Sequence, residues 1–113
     1  MPHASSLASR AATAGFDWEN VDQVFDKLNE ELVELKSTVS QDEREDELGD
    51  LLFVIVNIAR FLKVDPEQAL RRTNAKFRRR FSHVEEGLAA EGKSPQDATI
   101  VEMEALWQAA KKL

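Results

Sequence analysis

Apolar residues recur along most of the chain at the spacing of an α-helix, and strand-like alternation is missing. Trp18, Val21, Phe25, Leu28, Leu32 and Leu35 follow one another at steps of three and four, which predicts a helix from about Asp17 to Thr38 with one buried stripe. A polar break at Ser40–Asp42 opens a second helix, about Gln41 to Lys63. Its second half, Leu51 to Leu62, is apolar nearly all round, so this helix is expected at the centre with the others around it. Asp65 then Pro66 reads as a carboxylate cap followed by proline at the first helical position. The helix that follows should run to about Glu91, with Leu70, Thr73, Phe77, Phe81, Val84 and Leu88 on one face and Gly92 as a left-handed stop. Thr99-Ile100-Val101-Glu102 has the capping-box pattern and starts a last helix carrying Met103, Leu106, Trp107 and Ala110. Residues 1–15 are rich in Ala and Ser without a strong apolar period and read as a tail or a weak helix. The expected fold is all-α, a bundle of about four main helices within residues 16–113.

Composition narrows the function classes. The 113 residues make one domain, 42% apolar and 32% charged, near the size where a partner subunit helps to cover the core. The absence of cysteine removes disulfides, zinc–thiolate sites and a thiol nucleophile. His3 and His83 are too few for a histidine-built metal site. With 15 basic and 21 acidic residues the net charge is −6, which argues against nucleic-acid binding. No apolar stretch reaches the roughly 18 residues of a membrane span, and the N-terminus has no apolar signal core. A soluble, cytoplasmic protein is expected.

The acidic residues carry the first chemical signal. Glu31 with Glu34, and Glu47 with Asp50, form two pairs at a spacing of three, each placing two carboxylates one turn apart on one side of a helix. Acidic pairs on solvated helix faces are common, but the phase here is unusual. Glu47, Asp50, Val54, Asn57 and Phe61 fall on one line, and Glu31 lies at the edge of the apolar stripe of its own helix. Like charges at the border of a core repel unless a cation bridges them. Four carboxylates without histidine suit Mg²⁺, with Mn²⁺ as a substitute, and such sites complete their coordination with substrate phosphates. Gly49 lies between the members of the second pair, where it either admits a close approach to the backbone or eases helix packing.

A basic run on the next helix complements this. Arg71, Arg72, Lys76, Arg78, Arg79 and Arg80 lie within ten residues without an acid among them. The arginine fork matches phosphate oxygens, whereas the plain alternative is a solvated face paired with acids. Asn57, a lone amide in an apolar helix, can cap a backbone group, read a base or sugar, or fix helix register. Trp107 is either core or a stacking surface for a base.

Taken together, Glu30-Glu31-x-x-Glu34 and Glu47-x-x-Asp50 resemble the paired motif of the all-α nucleoside triphosphate pyrophosphohydrolases. Phe16-Asp17-Trp18, Val24-Phe25-Asp26-Lys27, Glu47-Leu48-Gly49-Asp50-Leu51-Leu52-Phe53, Val56-Asn57-Ile58-Ala59-Arg60 and Asn74-x-Lys76-Phe77-x-x-Arg80-Phe81 are similar to the C-terminal catalytic half of the MazG family. The resemblance implies hydrolysis of nucleoside triphosphates to monophosphate and pyrophosphate with Mg²⁺, a house-cleaning role in the nucleotide pool, and a homodimer or higher assembly. It implies Glu31, Glu34, Glu47 and Asp50 as metal ligands, and Lys27, Glu30, Lys76, Arg79, Arg80 and Trp107 as substrate contacts. Where the family often has a lysine shortly before the second motif, this chain has Glu43 and Arg44, and Arg44 is the candidate replacement. Asn57 joins the substrate-binding set, and Glu34 or Glu30 is the candidate general base that orients the attacking water. The competing reading is a non-catalytic helical interaction module in which these charges are solvated faces or intersubunit pairs.

Overall fold

The computed structural model describes residues 2–113. The described residues form α1 (Pro2–Thr13), α2 (Val21–Lys36), α3 (Gln41–Phe61), α4 (Pro66–Ala90), a short 3₁₀ turn (Pro95–Asp97) and α5 (Ile100–Ala110), with no strand among them. The fold is all-α, as the periodicity predicts. None of these helices is long and apolar enough to cross a membrane. The chain divides into two compact units, Met1–Ala69 and Leu70–Leu113, with α4 beginning in the first and continuing through the second.

In the first unit, α3 packs against both α2 and α1. Within the segment read as a tail or weak helix, Pro2–Thr13 is helical and Ala8 is buried. Small side chains let a helix lie close to a neighbour without a stripe of large apolar residues, which is why its periodicity is weak. α2 starts at Val21, later than expected, because Asn20 caps it: the Asn20 side chain accepts from Gln23 N at 3.0 Å while Gln23 Oε1 accepts from Glu19 N at 2.8 Å.

The buried side of α2 also differs from the expected stripe. Val24 and Glu31 are buried, whereas Phe25 and Leu32 are 41% and 37% exposed. The inward face is rotated so that it includes a carboxylate. α3 starts at its Ser40 cap, where Ser40 Oγ accepts from Glu43 N at 3.1 Å and Glu43 Oε2 accepts from Val39 N at 3.3 Å. Leu51, Val54, Val56 and Asn57 are its buried positions. Leu48, Leu52, Phe53 and Ile55 are exposed, so α3 is not enclosed on every side as its composition led us to expect. Beyond Phe61 the chain turns with Lys63 in the left-handed region, where Val64 N donates to Ala59 O at 2.9 Å.

The second unit is built on the remainder of α4 and on α5. Val84 and Leu88 of α4 and Ala110 of α5 are its buried apolar residues. Gly87 permits their close approach, since a Cβ there would lie 2.6 Å from Leu106 Cδ2. Gly92 adopts φ 75° just beyond α4, the left-handed stop expected there. Thr99 and Glu102 form the full capping box at the start of α5.

Candidate active site

The four-residue link between α2 and α3 makes them an antiparallel hairpin and brings the first acidic motif against the second. Glu31, Glu34 and Glu47 converge: one carboxylate oxygen from each lies within 4.8 Å of the others. Glu31 is 4% exposed, Glu47 is half-buried and Glu34 is exposed. Asp50 stands one turn beyond Glu47, exposed and outside this group of three.

Two oxygens of the cluster, Glu31 Oε2 and Glu47 Oε2, are buried without a hydrogen-bond partner. Such atoms are rare in folded proteins and costly when charged. Lys27, one turn before Glu31, takes the other oxygen: its Nζ lies 3.2 Å from Glu31 Oε1 and 3.5 Å from Glu30 Oε2. Those two carboxylates raise the Lys27 pKa, Glu31 more strongly. Burial, together with the neighbouring carboxylates of Glu34 and Glu31, pushes the Glu47 carboxyl up to about 7.

The donor chemistry fits a divalent cation. All three groups offer only oxygen, two of the oxygens lack any partner, and burial together with repulsion raises the proton affinity of Glu47. A cavity of about 330 Å³ opens beside the cluster between the end of α2 and the start of α3, lined by Glu34, Ser37, Glu43, Asp46 and Glu47. The Glu43 side chain is engaged in the α3 cap, which explains an acid where phosphate contact is expected, and Arg44 beside it is exposed.

Asn57 belongs to a different part of the same unit. Its Nδ2 donates to Phe53 O at 3.1 Å, and its Oδ1 accepts from Arg60 Nε at 3.3 Å and Nη2 at 3.0 Å. Arg60 in turn grips Asp17, which holds that carboxyl below its ordinary value. Sequence reasoning assigned no role to Asp17 or Arg60. The available signal was a lone cation in an apolar helix, three residues after a lone amide. Around them a second cavity of about 340 Å³ is lined by Phe16, Trp18, Phe53 and Asn57, with Ala8 and Ala11 from α1.

The other predicted contacts lie in the second unit. Arg79 and Arg80 line a hollow with His83 and Glu86, and Lys76 is exposed on the same helix. Trp107 packs on Phe77 with ring centroids 5.3 Å apart, and Phe77 stacks on Phe81 at 5.8 Å. One side of Trp107 is therefore used in an aromatic cluster.

Residues 19–85 match the MazG nucleotide pyrophosphohydrolase domain. The chain belongs to the MazG family. It is 43% identical over 108 residues to the nucleoside triphosphate pyrophosphohydrolase/pyrophosphatase MazG of Thermotoga maritima, a match covering 96% of this chain and 42% of that protein. It is 40% identical over 114 residues to the nucleoside triphosphate pyrophosphohydrolase of Escherichia coli K12, covering 96% of this chain and 43% of that protein. A 66-residue stretch is 52% identical to the uncharacterized protein YabN of Bacillus subtilis, covering 58% of this chain and 14% of that protein. The chain thus spans less than half the length of these MazG relatives. The family match includes both acidic motifs and the basic run of α4, and it ends before Trp107.

Proposed function

We propose that this chain hydrolyses nucleoside triphosphates, with water, to nucleoside monophosphate and pyrophosphate, as a Mg²⁺-dependent house-cleaning enzyme of the nucleotide pool. The observation that carries this reading is the convergence of Glu31, Glu34 and Glu47 with two buried oxygens lacking partners. These three would hold the Mg²⁺, or Mn²⁺ in its place, and Asp50 would complete the set from the next turn of α3. Bound there, the cation supplies charge neutralisation for the triphosphate and a more acidic water.

The protein's own groups divide the remaining work. Glu34, the exposed member of the cluster, and Glu30, exposed beside it, are the two carboxylates placed to accept the proton of the attacking water, and one of them does so. Lys27 and Arg44 of the first unit serve phosphate oxygens, stabilising charge on the departing pyrophosphate. Asn57 serves the nucleoside end. From Glu47 to Asn57 α3 rises about 15 Å, a span that an extended nucleoside triphosphate can bridge. The aromatic cavity of Phe16, Trp18 and Phe53 then receives the base, and Asn57 has one N–H left to offer it.

A homodimer accompanies this reading. Leu48, Leu52 and Ile55 form an exposed apolar stripe on α3, and Phe25 and Leu32 another on α2. A second copy covering these stripes supplies the enclosure that the composition of α3 calls for.

The test is a product assay with Mg²⁺ and separate ribo- and deoxynucleoside triphosphates. Monophosphate plus pyrophosphate is expected. Glu47→Gln should lose at least about 100-fold in rate, since altering even a group behind a metal ligand costs 10–100-fold. Diphosphate plus orthophosphate, or full activity in Glu47→Gln, overturns the reading.

A further inference from the structure

We propose that Lys27 is the resident counter-ion of the carboxylate cluster in the cation-free protein, and that a divalent cation exchanges with it. The inference rests on the metal-binding reading of Glu31, Glu34 and Glu47 given above. It starts from an oddity of the Lys27–Glu31 pair. On a helix surface a lysine four residues before a glutamate is the weaker of the two orders, because both charges oppose the helix dipole. The pair nevertheless forms at 3.2 Å, and its acidic member is almost fully buried.

Burial accounts for this. A carboxylate removed from water, with two others nearby, needs a positive partner, and Lys27 bonds it from the same helix. The neutralisation is incomplete. Lys27 reaches Glu31 Oε1 and the exposed Glu30, while Glu31 Oε2 and Glu47 Oε2 remain without a partner. Of the three clustered carboxylates Lys27 bonds Glu31, so its single charge offsets the cluster from the α2 side.

A divalent cation among the same oxygens would sit within a few ångströms of the ammonium. Two positive charges so close repel, so the lysine yields as the cation enters. Its side chain is 39% exposed and free to swing on its stem. The released ammonium then stands beside the cation, where phosphate oxygens arrive. Lys27 thus offsets the charge of Glu31 in the cation-free protein and turns to substrate only once the cation is in place.

The experiment follows binding of Mn²⁺ to the full chain, without nucleotide, by loss of the free-ion paramagnetic resonance signal. Lys27→Met should bind Mn²⁺ about fivefold more tightly, the scale of one half-exposed ion pair. Lys27→Gln should move the same way, and Lys27→Arg should stay within about twofold of the parent. Lys36→Met removes the same net charge from the end of α2 and should change affinity less. In chelator Lys27→Met should melt below the parent, and Mn²⁺ should raise its melting point by the larger increment. Equal or weaker Mn²⁺ binding by both neutral variants overturns the inference alone, as does an equal gain in Lys36→Met. A parent chain that takes up no Mn²⁺ overturns the metal reading and the inference together.

Discussion

Asp17 and Arg60, 43 positions apart, meet through two hydrogen bonds, Nη1 to Oδ2 at 3.0 Å and Nη2 to Oδ1 at 2.5 Å. The pair fastens the segment before α2 to the end of α3, and with it Trp18, which lines the same cavity as Asp17 and Asn57. Arg60 also supplies both donors to Asn57 Oδ1. One guanidinium therefore sets the entry to α2 and the orientation of the buried amide.

Asp17→Asn should lower stability by about 1–2 kcal/mol at neutral pH, the scale of a charge-assisted pair in partly shielded surroundings. The Arg60 hydrogen bond holds the Asp17 pKa below 3.8, so near that pH the folded chain carries fewer protons at this position than the unfolded one. The contribution is present above the unfolded value and disappears as pH falls through the folded one. Urea unfolding should separate parent and variant at pH 7 and bring them together in strong acid. A constant gap across that range would show that the loss is packing rather than charge.

Glu47 gives the opposite dependence. Its folded pKa of about 7 exceeds the ordinary value of 4.5, so the cation-free folded chain holds more protons there than the unfolded chain in between. Stability should fall as pH rises from about 4.5 to about 7, then level off. Glu47→Gln, which cannot ionise, should lack that fall. Since a cation must displace the proton, Mg²⁺ should bind more tightly at pH 8 than at pH 6. Melting curves in chelator and metal titrations at those pH values test both statements. A parent profile parallel to that of Glu47→Gln would remove the buried-carboxylate account.

Much of this architecture is legible in local chemistry. Asp65-Pro66, Gly92 and the Thr99–Glu102 box each mark a helix end by a backbone hydrogen bond or a dihedral that the residue itself dictates. The face of α2 is less legible. A stripe drawn through large apolar residues selects Phe25 and Leu32, whereas the chain buries Val24 and Glu31. Hydrophobicity alone cannot rank a glutamate as interior, because its burial depends on Lys27 and on carboxylates of another helix. The Asp17–Arg60 pair is hidden for the same reason. It is a long-range contact without a periodic signature, whereas the pairing of Glu31-x-x-Glu34 with Glu47 follows from one short hairpin.

Gly49 separates two readings of its own helix. A glycine inside a helix suggests a close approach, yet a Cβ built there meets nothing within 4 Å. Within this chain Gly49→Ala should therefore add about 0.5–1 kcal/mol of stability by restricting the unfolded backbone. For a domain of this size that is a rise of roughly 2–6 °C in melting temperature. Loss of stability instead would mean that a second copy or a ligand lies against that turn of α3, since the described residues leave it open.

The exposed apolar stripe of α3 makes the last prediction. Leu48, Leu52 and Ile55 are 47%, 41% and 39% exposed, and they lie at the four- and three-residue steps that put side chains on one helix face. Single exposed leucines are ordinary, but a row of them on a helix whose opposite face carries Val54 and Asn57 into the core indicates a second contact. If a second copy covers the row, a charge at its middle must be desolvated on association and left without a partner. Leu52→Glu should then convert the assembly to monomers, seen as a halved mass by light scattering after size exclusion at micromolar concentration. The α2–α3 carboxylates belong to one chain, so Mn²⁺ binding should survive in that monomer. An unchanged mass would put the association surface elsewhere, and loss of Mn²⁺ binding together with the dimer would mean that the partner completes the metal site.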